Sequence, residues 1–179
     1  MSFSITLLSF FIYSFIGWLY ESTLCSLINQ HKFVNRGFLY GPYCPIYGTG
    51  AIVCWFSLKN ITNAFLIFIL SVIICSVLEY LTSFIMEKLF NQRWWDYSNL
   101  PLNINGRVCL FGGILFGLAV VVEVTYIQPN LIANLSQFNA SQLILLSIIL
   151  CSIFIIDFFL TVSKHDPMKY KSILNSIFR

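Results

Sequence analysis

Five long apolar stretches divide this chain, and its polar residues gather in the segments between them. Only 9% of the 179 residues are charged, whereas a soluble domain usually carries about 25% charged residues. A chain with so few charged side chains cannot cover a globular fold with a surface that water solvates. The stretches therefore predict an integral membrane protein whose main solvent is lipid.

The apolar stretches predict an all-α bundle of about five transmembrane helices, since each spanning helix needs about 20 apolar residues. The second stretch is short and begins in a segment rich in glycine and proline, so we expect it to be tilted or partly re-entrant. The first stretch carries Glu21 and lacks the cleavage site of a signal peptide, so we expect it to be retained. All five belong to a single domain, residues 1–163, with spans at residues 4–28, 44–60, 63–88, 108–127 and 141–163.

Lysine and arginine residues fall almost entirely on one side of this arrangement, with Lys59 alone on the other side. By the positive-inside rule, we expect the N-terminus outside and the C-terminus in the cytoplasm, in a multi-pass protein of the cell membrane. The basic tail, residues 164–179, is expected to lie on the anionic inner leaflet. The residues on the positive side are Lys32, Arg36, Lys88, Arg93, Arg107, Lys164, Lys169, Lys171 and Arg179.

Acidic residues occur within or at the edges of the expected spans, where an ionised group at mid-helix costs about 2.5–3.5 kcal/mol. Such residues are functional candidates, although each can also lock two helices together through a buried hydrogen bond or ion pair. Glu21 and Glu79 lie at similar depth in the inner halves of their spans, which favours a functional cavity. The five acids are Glu21, Glu79, Glu87, Glu123 and Asp157.

The other three acids differ in position along their spans. Glu87 lies near the cytoplasmic end, where an interfacial ion pair with Lys88 or Arg93 is expected. Asp157 lies in the inner half of the last span. Glu123 lies toward the outer end of its span, so we expect its side chain to reach water and do not include it in the candidate site.

Two segments of the chain share a short pattern. Residues 36–41 read R-x-x-L-Y-G and residues 107–112 read R-x-x-L-F-G; each opens a span and follows a helix with an inner-half glutamate. The match can be chance in a chain rich in leucine and phenylalanine, or it can mark an internal duplication into parallel helix–motif–helix repeats. Parallel repeats place a shared site at their interface. The residues that duplication would bring into one pocket are Glu21, Arg36, Glu79 and Arg107, with Asp157 added by the fifth span.

An insertion before the second pattern, QRWWDYSNLPLNING, is rich in groups that form hydrogen bonds. Its Trp94, Trp95 and Tyr97 are typical of an interfacial aromatic belt. Its asparagines, together with Arg107, can bind a phosphate or a carboxylate, because arginine offers a bidentate fork. The complete set of candidate pocket residues is Glu21, Arg36, Tyr40, Tyr47, Glu79, Tyr80, Glu87, Asp96, Tyr97, Asn103, Asn105, Arg107 and Asp157.

Several motifs, in this order, carry a resemblance to a known family: GWLYES, KFVNRGFLYGPYCPIYG, LEYLTSFIMEKLF, RWWDYS and NINGRVCLFG. Over about residues 9–127 the chain resembles the bacterial family of type IV ABC-transporter permeases, the CmpB-like small membrane proteins. The resemblance implies a transport function. Because the sequence holds no P-loop pattern G-x-x-x-x-G-K-[ST], the ATPase of such a system would be a separate chain.

Three classes of function remain open. The first is a permease or transport subunit with a polar Glu/Arg pocket open to the cytoplasmic side. The second is a membrane-embedded enzyme acting on a lipid or isoprenoid phosphate, although no G-x-S-x-G or H-E-x-x-H motif occurs. The third is a non-catalytic assembly or regulatory subunit.

The expected partners follow from the same features. They are the lipid bilayer and either a separate ATPase chain or further copies of this chain, whereas no nucleic acid partner is expected. The six cysteines show no C-x-x-C spacing, so neither a disulfide framework nor a metal site is expected. The sequence indicates no cofactor.

Overall fold

Helices account for most of the structure. A computed structural model describes residues 1–25, 35 and 37–165, apart from the side chains of residues 24 and 25. Within these residues, four helices are long and apolar enough to cross a membrane, and a fifth apolar helix is shorter. The predicted fold class, an all-α membrane protein built as a bundle of about five helices, is confirmed.

The helices, in chain order, are α1 (Phe3–Leu19), α2 (Pro45–Leu58), α3 (Ala64–Phe90), α4 (Leu110–Val122), α5 (Gln128–Leu135) and α6 (Ala140–His165). Two π-helical turns extend this set. Tyr20–Cys25 continues α1, and Glu123–Ile127 joins α4 to α5. As a result, α4, the second π turn and α5 form one continuous apolar segment, Leu110–Leu135.

Local sequence signals set several of the helix ends. The side chains of Ser2 and Asn63 each accept a hydrogen bond from the backbone N–H three residues later, and they cap the N-termini of α1 and α3. Pro45 begins α2, where the missing N–H of proline leaves no intrahelical hydrogen bond unmade. Asn91 ends α3 in the left-handed conformation, with a φ of 52° that asparagine tolerates.

The helices pack chiefly as two pairs, α1 with α2 and α3 with α4. Glycines allow the close approach within each pair, as is common between membrane helices. A Cβ atom added to Gly48 of α2 would lie 2.4 Å from the backbone oxygen of Phe10 in α1. A Cβ atom added to Gly117 of α4 would lie 2.6 Å from Val72 in α3.

Two buried clusters join the helix pairs to each other and to the last helix. Cys54, Ile67 and Val120 pack together where α2, α3 and α4 meet. Leu8 of α1 packs against Leu143 of α6 in the second cluster. Most other large apolar side chains of α3 and α6 point outward, as expected of helices whose surroundings are lipid.

A short β-hairpin, which the sequence did not predict, precedes α4. Its strands are β1 (Asn103–Ile104) and β2 (Val108–Cys109), and they pair antiparallel. The turn between them passes through Asn105 and Gly106, both with positive φ (53° and 67°). Asn-Gly is the preferred dipeptide of such turns. The hairpin thus gives the second pattern segment a defined shape.

The loop after residue 35 and the ends of α3 and α6 meet on one face of the bundle. The ring of Phe38 lies 5.1 Å from that of Phe90, 5.2 Å from that of Trp94 and 5.6 Å from the imidazole of His165. This aromatic cluster ties the first pattern segment to the C-terminal ends of two helices. We call this side of the bundle the loop face.

Candidate functional site

A cavity of about 210 Å³ lies between α1, α2, α3 and α4. Its walls are mostly apolar, and two glutamates, Glu79 of α3 and Glu123 of the second π turn, line it. Three aromatic side chains, Tyr13, Tyr47 and Phe116, also line it. The cavity therefore combines acidic groups with an apolar and aromatic wall inside the helix bundle.

Glu21 reaches the edge of this cavity through a tyrosine. The hydroxyl of Tyr47 donates a hydrogen bond to Glu21 Oε1 at 2.6 Å. Gly17 makes this possible, because a Cβ atom there would lie 2.2 Å from Cγ of the Tyr47 ring. Glu21 also begins the first π turn, and π turns inside α-helices are frequent at functional sites.

Glu79 is held in a parallel way by a tyrosine from the insertion. The hydroxyl of Tyr97 donates to Glu79 Oε1 at 3.0 Å. Burial, followed by the negative charges of Glu79 and Glu21, raises the pKa of the Tyr97 hydroxyl above its ordinary value. Tyr97 therefore remains a proton donor at neutral pH. Since both carboxylates act on it, Glu21, Tyr47, Glu79 and Tyr97 form one group.

Arg107 lies beside this group but bonds further along α3. Its guanidinium donates to Ser83 Oγ at 3.1 Å and to the carboxylate of Glu87. The same guanidinium lies 5.7 Å from the centroid of the Tyr80 ring and 5.4 Å from that of Phe84. In this structure the charge of Arg107 is thus balanced by Glu87, and its hydrogen-bond partners do not include Glu79.

The remaining candidates of the insertion support the hairpin. Asn105 Nδ2 donates to the Tyr80 hydroxyl at 3.0 Å, and Asn103 Oδ1 accepts from the backbone N–H of Gly106 at 3.0 Å. Arg93 Nε donates to Glu87 at 3.1 Å, as the sequence predicts. These contacts hold the hairpin against the C-terminal half of α3.

Asp96 forms a turn of its own within the insertion. It accepts hydrogen bonds from the Ser98 hydroxyl at 2.5 Å and from the Ser98 backbone N–H at 2.9 Å. These bonds, with a further contribution from Arg93, lower the pKa of Asp96 below its ordinary value. Asp96 is exposed and does not line the cavity.

Asp157 of α6 anchors the first pattern segment. Its carboxylate accepts from the backbone N–H groups of Tyr40 (3.0 Å) and Gly41 (2.7 Å), and from the hydroxyls of Tyr43 (2.5 Å) and Thr161 (3.1 Å). Burial, with the bond to Asp157, raises the pKa of Tyr43. The side chain of Tyr40 is 55% exposed on the loop face. Asp157 therefore fixes a loop and is separate from the cavity.

Arg36 lies outside the described residues, but both of its neighbours are ordered by contacts. Asn35 Oδ1 accepts from the Trp18 indole N–H at 2.8 Å and from the backbone N–H of Gly37 at 3.2 Å. Asn35 Nδ2 donates to the carbonyl of Tyr40 at 3.2 Å. The first pattern segment is thus joined to both α1 and α6.

Glu123 is the residue that sequence reasoning missed. The sequence predicts a side chain that reaches water, whereas the structure leaves Glu123 only 5% exposed and turns it into the cavity. The available signal was Pro129, because a proline within a helical run removes a backbone hydrogen bond and distorts the preceding turn. Here that preceding turn is the π turn Glu123–Ile127, which begins at Glu123.

Comparison with known proteins identifies a family. Residues 8–162 match the family described as "Putative ABC-transporter type IV". The match extends beyond the motif blocks to include most of α6. No curated protein and no solved structure matches the chain.

Proposed function

We propose that this chain, which belongs to the family described as Putative ABC-transporter type IV, is the membrane-embedded subunit of an ABC-type transport system. In this proposal the ATPase is a separate chain, and the loop face is directed toward the cytoplasm. The observation that carries the proposal is the cavity among α1–α4, because it places two glutamates inside a membrane bundle. Ionisable residues at membrane depth typically mark the path of a substrate or an ion.

The polar site proposed for this subunit is the group of two glutamate–tyrosine pairs beside the cavity. In each pair, a tyrosine from later in the chain donates a hydrogen bond to a glutamate. Tyr47 donates to Glu21, and Tyr97 donates to Glu79. Arg107 lies on the loop-face side of the group, and its guanidinium donates to the carboxylate of Glu87. Arg36, the counterpart of Arg107 in the first pattern segment, lies outside the described residues.

We also propose that the chain contains an internal duplication. Besides the two pattern segments, equivalent helix contacts support it. Gly48 of α2 packs on two residues of α1, and Gly117 of α4 packs on two residues of α3. Each contacted residue of α1 is separated from its counterpart in α3 by the same number of positions as Glu21 is from Glu79. The matched pairs, each 58 positions apart, are Phe10 with Phe68, Ser14 with Val72 and Glu21 with Glu79.

We favour transport over lipid-phosphate chemistry because the guanidinium of Arg107 is already hydrogen-bonded to other side chains. A phosphate clamp requires a guanidinium that faces its ligand, whereas that of Arg107 bonds Ser83 and Glu87. The cavity itself is lined by acids, which repel phosphate.

Purification of the tagged chain from its native membrane tests the transport proposal. We expect a P-loop ATPase to copurify in a fixed ratio, identified by mass spectrometry, and the assembly to hydrolyse ATP. A tagged multi-pass membrane protein from the same cells serves as the control for nonspecific capture. If no ATPase accompanies the chain under mild detergent and cross-linking conditions, the proposal is wrong.

A further inference from the structure

The cavity holds carboxylate oxygens that the described residues leave unpartnered. Glu79 and Glu123 are each only 5% exposed. By hydrogen-bond geometry, Glu79 Oε2 and both carboxyl oxygens of Glu123 have no partner among the described residues; the Tyr13 hydroxyl lies close to Glu123 but donates to Gln128. A buried carboxylate without a partner is costly, and natural structures rarely keep one without a function.

No basic side chain stands among the described residues that line the cavity. Among the described residues, Arg107 already pairs with Glu87. The described residues therefore leave the two carboxylates to be neutralised by another positive species, held in the cavity or, for a proton, on a carboxylate itself. Three kinds of positive species could do so: a proton, a metal ion or an organic cation.

The aromatic wall of the cavity favours an organic cation over a proton or a metal ion. Tyr47 and Phe116 meet edge to face, with ring centroids 5.7 Å apart, and Tyr13 adds a third ring. Aromatic faces beside carboxylates are the usual means of binding an organic ammonium ion. Binding of a proton to a carboxylate involves no contact with aromatic rings. A hard metal ion takes six or more oxygen ligands, a number that two glutamates beside an apolar wall do not supply.

The size of the cavity points the same way. Its volume of about 210 Å³ is several times the roughly 30 Å³ that one water molecule occupies in the liquid. The space admits a cation with an apolar body of several carbon atoms. Glu123 lines this space at the point where α4 passes into the second π turn.

We propose that this cavity binds an organic ammonium ion, with the carboxylates of Glu79 and Glu123 to balance its charge and the rings of Tyr13, Tyr47 and Phe116 as its walls. The proposal deepens the transport function by naming a class of substrate, and it rests on that function only for the statement that the bound ion is transported. Binding itself follows from the cavity. Tyr47 contacts both the cavity and Glu21, so it would link a bound ion to the polar site.

The test uses the full chain in lipid nanodiscs and radiolabelled benzyltrimethylammonium, which carries a permanent charge and a ring. Equilibrium dialysis is expected to show saturable binding of one cation per chain. Unlabelled benzyltrimethylammonium should displace the label, and neopentylbenzene, its neutral isostere, should not. Absence of saturable binding, or equal displacement by the neutral isostere, overturns the proposal.

Variants identify the groups that bind. Glu79→Gln and Glu123→Gln keep the shape of the side chain and remove its charge, so each should raise the dissociation constant at least about tenfold. Phe116→Leu keeps an apolar wall without a π face and should raise it about threefold. Thr125→Val is the matched control, because Thr125 belongs to the same π turn but is exposed and bonds the carbonyl of Val121. Unchanged affinity in both glutamine variants overturns the proposal.

Two further points keep the result interpretable. Each variant is first shown to elute as a single species, and if a glutamine variant does not, Phe116→Leu and the neutral isostere decide. The assay contains no ATPase and measures no transport. Binding without a copurifying ATPase would support the cavity and contradict the transport function, and the reverse pattern would do the opposite.

Discussion

Two buried acidic residues in this bundle differ in their hydrogen bonding. Asp157 accepts four hydrogen bonds, two of them from the backbone of the loop that begins near residue 35. Glu123 is equally buried, but the described residues provide no hydrogen-bond partner for its oxygens. A carboxylate with all its donors in place stabilises structure, whereas a buried one without them costs free energy until a proton or another positive group neutralises it.

The contacts of Asp157 predict a structural effect. In Asp157→Asn, one carboxylate oxygen becomes an NH₂ group that faces other donors, so we expect a loss of about 1–3 kcal/mol of stability. The measurement is the thermal unfolding midpoint in detergent. Thr161→Val, which removes one of the four donors, should have a smaller effect. Equal midpoints for wild type and Asp157→Asn would contradict this role.

Helix contacts depend on glycines at particular turns. Gly48 and Gly50 lie two residues apart on α2, yet their surroundings differ completely. A Cβ atom on Gly48 meets the backbone of α1, which cannot move aside, whereas one on Gly50 has nothing within 4 Å. The pair therefore separates the packing role of a glycine from its effect on helix propensity.

Gly48→Ala is expected to lower stability by about 1–3 kcal/mol through overpacking. Gly50→Ala should be neutral or stabilising, because alanine is favoured over glycine in a helix by about 1 kcal/mol. Thermal unfolding of both variants in the same detergent checks the difference. If both behave alike, α1 and α2 are not in the close contact described here.

The hairpin offers a second prediction at this scale. Gly106 has a φ of 67°, and a Cβ atom there would lie 2.4 Å from Asp96 Oδ1 and from Ser98 Oγ. Gly106→Ala should open the hairpin and speed tryptic cleavage after Arg93 and Arg107 several-fold. The rate is followed by mass spectrometry of the fragments. Gly112→Ala is the control, since its Cβ would make only an ordinary contact with Cys109, and equal rates for the two variants would rule out the turn described here.

The whole molecule gathers its polar segments on one face. The first pattern segment, the hairpin and the end of α6 meet there through the aromatic cluster around Phe38. The link between α2 and α3, which contains Lys59, lies at the other end of both helices. The chain is a multi-pass membrane protein, and from the positive-inside rule we propose that its loop face is directed toward the cytoplasm.

Cysteine labelling tests this orientation. A membrane-impermeant maleimide should label Lys59→Cys in intact cells and should label Asn99→Cys only after permeabilisation. Both positions are exposed. The unmodified chain, treated in parallel, reports the background from the native cysteines. Labelling of Asn99→Cys in intact cells would reverse the orientation.

The sequence was sufficient for features that depend on composition and on neighbouring residues. Apolar runs predicted the helices, since lipid leaves the chain little alternative. The ion pair between Glu87 and Arg93 was readable because the residues are six positions apart. The Asn-Gly dipeptide at residues 105 and 106 was visible too, but the hairpin was missed because its two-residue strands carry almost no periodicity.

Tertiary structure alone decided which polar groups face each other. Tyr97 reaches Glu79 from a loop, and Asp157 binds a segment more than a hundred residues earlier in the chain. Depth in the membrane can be read from position along a span, but the direction of a side chain cannot. Glu123 lines the cavity where α4 passes into the π turn, and residues of α1 and α2 complete the wall. By itself the sequence determined a membrane bundle with acidic groups; the rotation and packing of its helices decided which acids share a cavity.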